Sequence, residues 1–486
     1  MAVSVEAAVD REGGRGQAMG EAMRWHSLLT SARLGVSAVR GSPTTGRSEF
    51  QRDFDRIIFS SAFRRLQDKT QVFPLAESDY VRTRLTHSLE ASSVGRSLGT
   101  LVGAGLKARY PEIEDLQVSP SDIGAIVAAA CVAHDIGNPP FGHSGEDAIR
   151  LFFETHATGA DLLASLSEAQ RADFLQFEGN AQGFRILTRL QSPDNRGGLQ
   201  LTLATLGAFT KYPRGARHDP VPGAVSLRKH GFMAADEEHF AQAAMGLQLT
   251  ARADGIWTRH PLAYLVEAAD DICYHVVDVE DAYRLGILSY EDVEGVLAGI
   301  IDDPALPRRL AGMNDDKGRI EYLRARSINT LVEQAAQRFL AIEDRLRAGD
   351  CDVPLLAEVS AAGGMQALRG LGEQRIYMAP PVVEIEAAGF EVLAGLLAVF
   401  GAAIEAQARG RINARDRMRL KLVPTQFLGP NGGVHEDPYQ RLLRLTDFVS
   451  GMTDTYAVSL YKKVTGISLP GGEWCAHRGP IRPMTD

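Results

Sequence analysis

Hydrophobic residues along the chain recur mainly at helical spacing, and strict alternation of apolar and polar residues is scarce. Apolar positions three and four residues apart predict amphipathic helices, whereas a half-buried strand shows a period of two. The segment 197–209 fits either a strand or a helix, and the chain as a whole is predicted to be all-α. The predicted helices are 53–61, 87–110, 123–133, 177–190, 260–286, 319–349 and 384–409.

The pattern divides the chain into three parts. Residues 1–45 are rich in Gly, Ser and Arg and are expected to be poorly ordered, apart from a short docking helix within 23–35. Residues 46–300 form the predicted core, with an insertion near 151–176. Residues 301–486 are predicted to form a helical C-terminal region that packs on this core.

Composition limits the class of protein. The 486 residues are 45% apolar and 23% charged, as in soluble globular proteins with a sizeable core. The net charge of −9 excludes a surface that is basic overall, as nucleic-acid binding would favour.

The four cysteines lack CxxC spacing, and the N-terminus has no apolar signal segment, so we expect a cytoplasmic protein with buried thiols. The apolar runs 123–133 and 392–404 predict buried helices too short to span a bilayer.

The predicted core helix over 123–133 runs directly into titratable residues. His134 and Asp135 follow it, and a charge at a buried helix end requires a partner or an ion. His87 and Asp270 also lie on predicted helices, and Asp270 and Asp271 interrupt an apolar stripe, where uncompensated carboxylates would be costly. Two imidazoles and two carboxylates suit Mg2+, Mn2+ or another divalent transition metal ion, and helical proteins build such sites from facing helices. A helix end with polar capping alone is the alternative explanation.

His143 and Glu146 follow shortly after this pair and are three residues apart. On a helix they share a face, so the carboxylate can orient the imidazole and raise its basicity for acid–base catalysis. The helix dipole also stabilises an acid near a helix N-terminus, which is a purely structural explanation for the same residues. The neighbouring metal-ligand candidates favour the catalytic interpretation.

Asp270, Tyr274 and Asp278 are spaced four residues apart and therefore lie on one face of the helix predicted over 260–286. Asp271 points about 100° away from that face. This difference favours Asp270 as the metal ligand and places the other two side chains beside the predicted metal. The alternative for Tyr274 is an ordinary core aromatic.

The ordered set of His87, His134–Asp135 and Asp270 resembles the H…HD…D signature of the HD-domain phosphohydrolases. The wider sequence resembles one branch of them, the deoxyguanosine triphosphate triphosphohydrolases. The resemblance covers most of 45–290, with a weaker match at “DFVSGMTDTYAVSLYKKVTG” (447–466). The main matching stretches are “RDFDRIIFSSAFRRLQDKTQVFPL” (52–75), “VRTRLTHSLEASSVGRSLG” (81–99), “AHDIGNPPFGHSGEDAI” (133–149), “FEGNAQGFRIL” (177–187), “TKYP” (210–213) and “YLVEAADDICYHVVDVEDA” (264–282).

The resemblance implies an HD-domain helical core with additional helices and long loops. It implies metal-dependent hydrolysis of dGTP, or of a broader set of deoxynucleoside triphosphates, to a deoxynucleoside and inorganic triphosphate. The metal would be bound by the four residues of the signature. His143 and Glu146 would transfer protons during attack on the α-phosphate.

The resemblance also implies which side chains contact the substrate. Tyr274 and Asp278 would contact the sugar, with the acid near the 3′-hydroxyl and a crowded pocket that prefers deoxyribose. Lysine, arginine, amide and tyrosine side chains at matching positions are candidates for contacts with phosphate, sugar or base. These further candidates are Gln71, Arg84, Asn180, Lys211, Tyr212 and Lys229.

Other functions remain open from the residues alone. The site also suits another nucleotide, such as a monophosphate, an alarmone or a cyclic dinucleotide. A nucleotide- or nucleic-acid-binding regulator with a structural metal is a further alternative. We expect a homo-oligomer and no membrane partner, and a deoxynucleotide effector and single-stranded nucleic acid are candidate partners.

Two loops and one basic segment complete the sequence picture. Residues 211–231 and 422–437 are rich in Pro, Gly and His and are predicted to be long loops, which are often functional. Residues 408–421 carry five arginines and a lysine. This segment is interpreted first as a solvated helix face or subunit contact, and second as a contact to phosphate or nucleic acid.

Overall fold

The structure is a computed structural model that describes residues 22–36, 46–72, 81–221, 223–429 and 432–467. Within these ranges the chain is mostly helical. Its one sheet is a short antiparallel hairpin of β1 (Ala251–Ala253) and β2 (Ile256–Trp257). The prediction of an all-α fold is therefore confirmed.

The segment 197–209, for which the pattern fits either a strand or a helix, contains a helix in the structure. This helix is one of those that precede the hairpin. They are α1 (Trp25–Leu28), α2 (Glu49–Ile58), α3 (Ser61–Arg65), α4 (Arg84–Arg109), α5 (Glu112–Asp115), α6 (Pro120–Ala133), α7 (Gly142–Thr155), α8 (Ala157–Leu163), α9 (Glu168–Leu175), α10 (Gly179–Arg185), α11 (Leu203–Phe209) and α12 (Glu237–Leu247).

The helices after the hairpin include the long predicted ones, with ends shifted by a few residues. They are α13 (Leu262–Arg284), α14 (Tyr290–Ala298), α15 (Leu306–Ala311), α16 (Asp316–Ala348), α17 (Ala362–Leu371), α18 (Pro380–Ala408), α19 (Ala414–Leu420), α20 (Pro438–Ser450) and α21 (Asp454–Thr465).

Helix α6 lies at the centre of the larger hydrophobic core. Ser119 caps its N-terminus by accepting a hydrogen bond from the amide of Asp122, and Pro120 occupies the first turn. Nearly all its residues from Ile123 onward are buried, as the uninterrupted apolar run predicts. Helices α2, α4, α11 and α13 pack around it. The helix therefore ends, at His134, inside the protein.

Glycines on α4 allow this helix to approach α6 closely. A Cβ atom added at Gly95 would lie 2.5 Å from Cys131 Sγ, and one at Gly99 would lie 2.8 Å from the carbonyl oxygen of Ile123. Side chains there would force the two helices apart, because protein interiors are close-packed. The glycines thus set the spacing between the helices that carry the two candidate histidine ligands.

A second hydrophobic cluster joins α7, α8 and α9 to α18, α20 and α21. The predicted insertion near 151–176 contributes to this cluster through the end of α7 and through α8 and α9. The first cluster includes Leu323 and Phe339, which lie beyond residue 300. The division into 46–300 and 301–486 stays a prediction, and both hydrophobic clusters cross it.

Residues 22–36 pack against the core, although the segment 1–45 is expected to be poorly ordered. The predicted docking helix corresponds to α1, where Trp25 is buried and donates a hydrogen bond from Nε1 to Glu343 Oε1 at 2.6 Å. Residues 1–21 and 37–45 lie outside the described residues.

Helix α18 corrects one expectation. The apolar run 392–404 is predicted to be too short to span a bilayer. The helix that contains this run has 29 residues, however, and a mean hydropathy of 2.0 in its most apolar window. It is the one helix in the described ranges that is long and apolar enough to cross a membrane. Half of that window is buried inside the protein, where Leu393, Leu396 and Phe400 join the second cluster, as in a core helix.

Replacing Arg33 tests how the N-terminal segment is anchored. Arg33 Nη1 donates to Asp53 Oδ1 at 2.6 Å, and the two side chains are 10% and 0% exposed. Arg33→Met would leave a buried carboxylate without its cation, so we expect the free energy of unfolding to fall by about 3–5 kcal/mol. The control Arg47→Met removes an exposed partner of Asp55 and should lower it by less than about 1 kcal/mol. Equal losses in chemical denaturation would contradict this anchoring role.

Candidate active site

Four predicted ligand residues converge where α4, α6 and α13 meet. His87 lies on α4, His134 and Asp135 follow α6, and Asp270 lies on α13. Asp270 Oδ1 is 3.1 Å from His87 Nε2 and 3.2 Å from His134 Nε2, and His134 Nε2 is 3.4 Å from Asp135 Oδ1. We call these four residues the ligand cluster. The structure thus brings together the set that the sequence singles out.

The geometry of the ligand cluster fits a metal ion. Donor atoms of His87, His134 and Asp135 lie within 4.8 Å of one another. The Nδ1 atom of His134 is 2.7 Å from the carbonyl oxygen of Cys131, which fixes the ring with Nε2 toward the cluster. A histidine ligand commonly uses its second nitrogen in this way. Two imidazole nitrogens and two carboxylates form a donor set suited to a divalent ion.

Cations surround the two cluster carboxylates. Arg84 Nη1 donates to Asp135 Oδ2 at 2.8 Å, and Lys211 Nζ donates to Asp270 Oδ2 at 2.6 Å. Burial alone would raise the pKa of Asp135, but Arg84 and His134 outweigh it and hold that pKa below its ordinary value. Lys211 has the same effect on the pKa of Asp270. Both carboxylates are therefore ionised at neutral pH.

Asp271 faces away from the ligand cluster, as the helical spacing predicts. Its carboxylate lies 4.0 Å from Arg369 Nη2 instead. Burial, together with Glu267 and Asp270, raises the pKa of Asp271 to about 7. The two adjacent acids therefore have different partners and opposite pKa shifts.

His143 and Glu146 form a hydrogen-bonded pair in the first turns of α7. His143 Nδ1 is 2.9 Å from Glu146 Oε2, and the side chains are 72% and 2% exposed. The amide of Gly179 donates to the other oxygen, Oε1, at 2.6 Å. Burial would raise the pKa of Glu146, but His143 and Lys229 lower it below its ordinary value. A buried, ionised carboxylate thus orients an exposed imidazole.

Asn138 and Arg84 connect this pair to the ligand cluster. Asn138 Nδ2 donates to Asp135 Oδ1 at 2.7 Å, and its Oδ1 lies beside Gly179, the residue that binds Glu146. Arg84 also lies against Gly142 at the start of α7. The turn between α6 and α7 therefore places the imidazole–carboxylate pair next to the cluster.

Lys229 and Asn180 lie on the Glu146 side of the site. Lys229 Nζ is 3.0 Å from Glu178 Oε1 and 3.8 Å from Glu146 Oε2. Asn180 Nδ2 donates to the same Glu178 oxygen at 2.8 Å. Two predicted substrate-binding residues thus share a buried acid that the sequence interpretation does not single out.

Comparison with known proteins identifies the family, although no family model matches the chain. The chain is 43% identical over 464 residues to the “Deoxyguanosinetriphosphate triphosphohydrolase-like protein” of Synechocystis sp., with 92% of this chain and 100% of that protein covered. A protein of the same name from Pseudomonas aeruginosa is 42% identical over 456 residues, with 92% and 100% covered. The chain belongs to the deoxyguanosinetriphosphate triphosphohydrolase-like family.

More distant members of the family include a protein named without the qualifier. The “Deoxyguanosinetriphosphate triphosphohydrolase” of Salmonella arizonae is 32% identical over 483 residues, with 86% of this chain and 94% of that protein covered. The sequence similarity to this relative therefore extends over most of the C-terminal third of the chain, where the family motifs are weakest. The family resemblance inferred from the motifs is confirmed.

An aromatic pair closes one side of the site in this triphosphohydrolase-like chain. Tyr274 stacks on Tyr377 with ring centroids 5.7 Å apart, and the Tyr377 hydroxyl donates to Asp278 Oδ2 at 2.9 Å. Burial raises the pKa of Asp278 well above its ordinary value. The structure brings Tyr274 and Asp278 together as predicted. It adds Tyr377, which lies outside the matched motifs and has no distinctive spacing.

The remaining predicted residues lie in more enclosed positions. The Oε1 atom of Gln71 is buried without a hydrogen-bond partner among the described residues. Tyr212 is buried, and the Arg259 guanidinium lies 5.9 Å from its ring centroid. Arg228 donates to the Tyr212 hydroxyl at 3.4 Å. Tyr212 thus faces two arginines, and its predicted stacking on a sugar or base stays a prediction.

The turn after α6 is supported by two buried residues that the sequence analysis does not single out. Lys69 donates from Nζ to the carbonyl oxygens of Asn138 and Ser450, and burial lowers its pKa to about 7. Asp454 accepts hydrogen bonds from the amides of Thr70 and Phe141, at 2.9 and 3.0 Å. Both residues lie within the matched motifs, but only the fold reveals that these motifs meet.

Gly142 provides a test of how the turn is built. Its φ angle is +60°, and an added Cβ would lie 2.4 Å from Arg84 Nη2. We expect Gly142→Ala to lower the melting temperature through both backbone strain and displacement of Arg84. The control is Gly286→Ala, because Gly286 also has a positive φ, of +71°, but no atom lies within 4 Å of an added Cβ. This variant therefore measures only the cost of the backbone conformation, roughly 1–2 kcal/mol in the free energy of unfolding. Equal losses for both variants would contradict the steric role.

Proposed function

We propose that the protein is a metal-dependent deoxynucleoside triphosphate triphosphohydrolase that acts on dGTP or on a broader set of deoxynucleoside triphosphates. The observation that carries this proposal is the ligand cluster, in which His87, His134 and Asp135 are buried, with the His143–Glu146 pair beside it. The names of relatives that are 43% and 32% identical support the substrate class. Cytoplasmic location and a homo-oligomeric state stay predictions.

In this proposal the ligand cluster binds one divalent ion. A bound divalent ion would supply Lewis-acid polarisation of the α-phosphate oxygens and would lower the pKa of coordinated water. His87, His134, Asp135 and Asp270 would hold it, with Arg84 and Lys211 keeping both carboxylates ionised. The ligand types suit Mg2+, Mn2+ and several other transition ions, so they do not select among them.

His143 would carry the proton transfer. In the proposed reaction a water oxygen bonds to the α-phosphorus and the bond from phosphorus to the 5′ oxygen breaks. The attacking water loses a proton, and the 5′ oxygen of the deoxynucleoside gains one. Because Glu146 holds Nδ1 of the imidazole, Nε2 is the atom that would accept and return the proton.

Three cations would bind the triphosphate. Lys211, Lys229 and Arg84 all bind carboxylates of the site in the structure, at Asp270, Glu178 and Asp135. Before substrate binds, these carboxylates hold the three cations in position. Phosphate oxygens would then share the cations with the carboxylates or replace the carboxylates as hydrogen-bond acceptors. Arg84 retains a buried Nε atom without a partner among the described residues. A phosphate oxygen that reached Nε would satisfy this donor without the loss of the bond from Arg84 Nη1 to Asp135.

The sugar would lie against the stacked pair of Tyr274 and Tyr377. Asp278, oriented by the Tyr377 hydroxyl, would be a hydrogen-bond partner for the 3′-hydroxyl. The stacked rings would leave little room for a 2′-hydroxyl on the sugar. This arrangement supports a preference for deoxyribose over ribose.

Product analysis tests the proposed reaction. We expect incubation with a panel of the four deoxynucleoside triphosphates and Mg2+ or Mn2+ to release deoxynucleoside and intact inorganic triphosphate. Chelation should abolish the reaction because the ligand cluster would be empty. Release of pyrophosphate or orthophosphate instead would indicate another phosphohydrolase reaction, and binding without turnover would indicate a regulator.

Single substitutions separate metal binding from proton transfer. We expect Asp270→Ala to abolish both metal loading and turnover, and His143→Ala to retain the metal while turnover falls by about 10²–10⁴-fold. Metal content by mass spectrometry and turnover with dGTP are the measurements. The matched control is Asp271→Ala, which removes the adjacent acid that faces Arg369 and should retain the metal. Full turnover in His143→Ala would overturn the proton-transfer role.

A further inference from the structure

Glu178 is a buried acid beside the candidate active site to which the proposed reaction gives no role of its own. It immediately precedes α10, and its side chain is 2% exposed. A polar residue at this position commonly uses a side-chain oxygen to bind the free amides of the first helical turn. Glu178 makes no such bond. Its carboxylate therefore has a function other than helix capping.

One oxygen of this carboxylate binds two residues that are predicted to contact the substrate. Glu178 Oε1 accepts a hydrogen bond from Lys229 Nζ at 3.0 Å and another from Asn180 Nδ2 at 2.8 Å. Both donors bond to the same atom, so they lie close to each other. The position of Glu178 therefore determines where both groups are held.

Glu178 is itself held by the helix that carries Glu146. From α7, Arg150 donates through Nε to the carbonyl oxygen of Phe177 at 2.7 Å, and its Nη2 lies 3.4 Å from Glu178 Oε2. The residue on the other side of Glu178 is Gly179, whose amide donates to Glu146 Oε1 at 2.6 Å. Residues 177–179 and α7 are therefore joined by three contacts.

The charges of this group compensate one another. Arg150 Nη2 and Lys229 Nζ lie 3.7 and 3.8 Å from Glu146 Oε2, in addition to their contacts with Glu178. Burial and the nearby Glu146 raise the pKa of Glu178, and Lys229 opposes this shift. Burial opposes the charge of Lys229, but the two acids raise its pKa above the ordinary value. Lys229 is therefore a cation fixed between two carboxylates.

Lys229 retains hydrogen-bonding capacity for a phosphate while it is held in this way. An ammonium group has three N–H donors, and among the described residues only Glu178 lies within hydrogen-bond distance of Lys229 Nζ. The separation of 3.8 Å from Glu146 is too long for a hydrogen bond. A phosphate oxygen can therefore bind Lys229 without displacing Glu178.

We propose that Glu178 is a positioning residue for the triphosphate of the substrate. It would hold the Lys229 ammonium and the Asn180 amide at fixed positions relative to the His143–Glu146 pair. Lysine has a long flexible side chain, and ordering it during binding would cost conformational entropy. A side chain that is ordered beforehand avoids this cost when the ligand binds. The inference rests on the proposed function, because that function supplies the triphosphate.

Steady-state kinetics of Glu178→Gln with dGTP tests the role. We expect KM to rise by about 10-fold or more and kcat to stay within about 3-fold, because a phosphate contact made equally in substrate and transition state affects KM alone. A purely structural role would instead reduce the amount of folded enzyme and leave KM unchanged. An unchanged or lowered KM would overturn the proposal.

The matched control is Glu343→Gln. Glu343 is also a buried glutamate, with a side chain that is 0% exposed, and it accepts hydrogen bonds from Trp25 and Tyr110 away from the candidate active site. We expect this variant to have a lower melting temperature and an unchanged KM. An equal rise in KM in both variants would show that the effect comes from general destabilisation, against the proposal.

Combined substitutions test whether Glu178 acts through its two donors. In the background Lys229→Ala/Asn180→Ala, the further change Glu178→Gln should alter KM by less than about 2-fold, since residues that act through one another are not additive. A further rise as large as in the single variant would contradict the proposed route.

A charge-balanced variant keeps the test decisive if Glu178→Gln does not fold. The double variant Arg150→Gln/Glu178→Gln removes one cation together with one acid. Relative to Arg150→Gln alone, it should show the same rise in KM, and an equal KM in these two variants would overturn the proposal.

Binding of inorganic tripolyphosphate separates this inference from the proposed function. We expect calorimetric titration with Mg2+ and tripolyphosphate to show at least about 10-fold weaker binding to Glu178→Gln than to the unmodified protein. Weaker binding combined with no turnover of any deoxynucleoside triphosphate by the unmodified protein would contradict the proposed function and support the positioning role. Normal turnover combined with unchanged binding and KM in the variant would contradict the positioning role alone.

Discussion

Two carboxylates ionised inside an apolar helical core are the constraint on which the rest of the site depends. Asp135 and Asp270 lie where α4, α6 and α13 meet, and desolvation opposes the charge on each of them. An uncompensated buried carboxylate would be severely destabilising, so each needs a cation within contact distance. Arg84 and Lys211 meet this need, and the imidazoles of His87 and His134 also lie beside these carboxylates. The need to neutralise these two carboxylates favours a bound metal ion. It also explains why Arg84 and Lys211, whose side chains suit phosphate, lie beside the metal-ligand candidates.

The groups around this centre are held by residues far away in the chain. Lys69 and Asp454 bind the turn between α6 and α7 from opposite ends of the sequence, and Asn138 within that turn bonds to Asp135. Glu146 is positioned by the first amide of α10. The imidazole of His143 is thus exposed, while the groups that aim it are buried. A reactive group combined with a rigid support is the arrangement that preorganised catalysis requires.

The sequence predicts the parts of this arrangement that local patterning determines. The all-α fold follows from helical periodicity and is confirmed, and α6 is buried as its apolar run predicts. The four-residue spacing correctly places Asp270 and Tyr274 on one face, with Asp271 turned toward Arg369. Long-range pairings could not be predicted, because nothing near Tyr377 or Lys69 specifies a partner about a hundred or several hundred residues away. The helix predicted over 384–409 matches α18 to within four residues, but the apolar run 392–404 alone underestimates its apolar length, since Ala, Val and Glu continue the helix beyond that run.

The bond between Thr70 and Asp454 has a consequence for how the protein is made. These two residues are 384 positions apart, so the turn they support is complete only when nearly the whole chain is available. The N-terminal portion on the ribosome already contains every residue of the ligand cluster but lacks this support. Contacts with such large sequence separation form slowly and late. A chain truncated before α21 would therefore retain the cluster residues without the clamp that fixes the neighbouring turn.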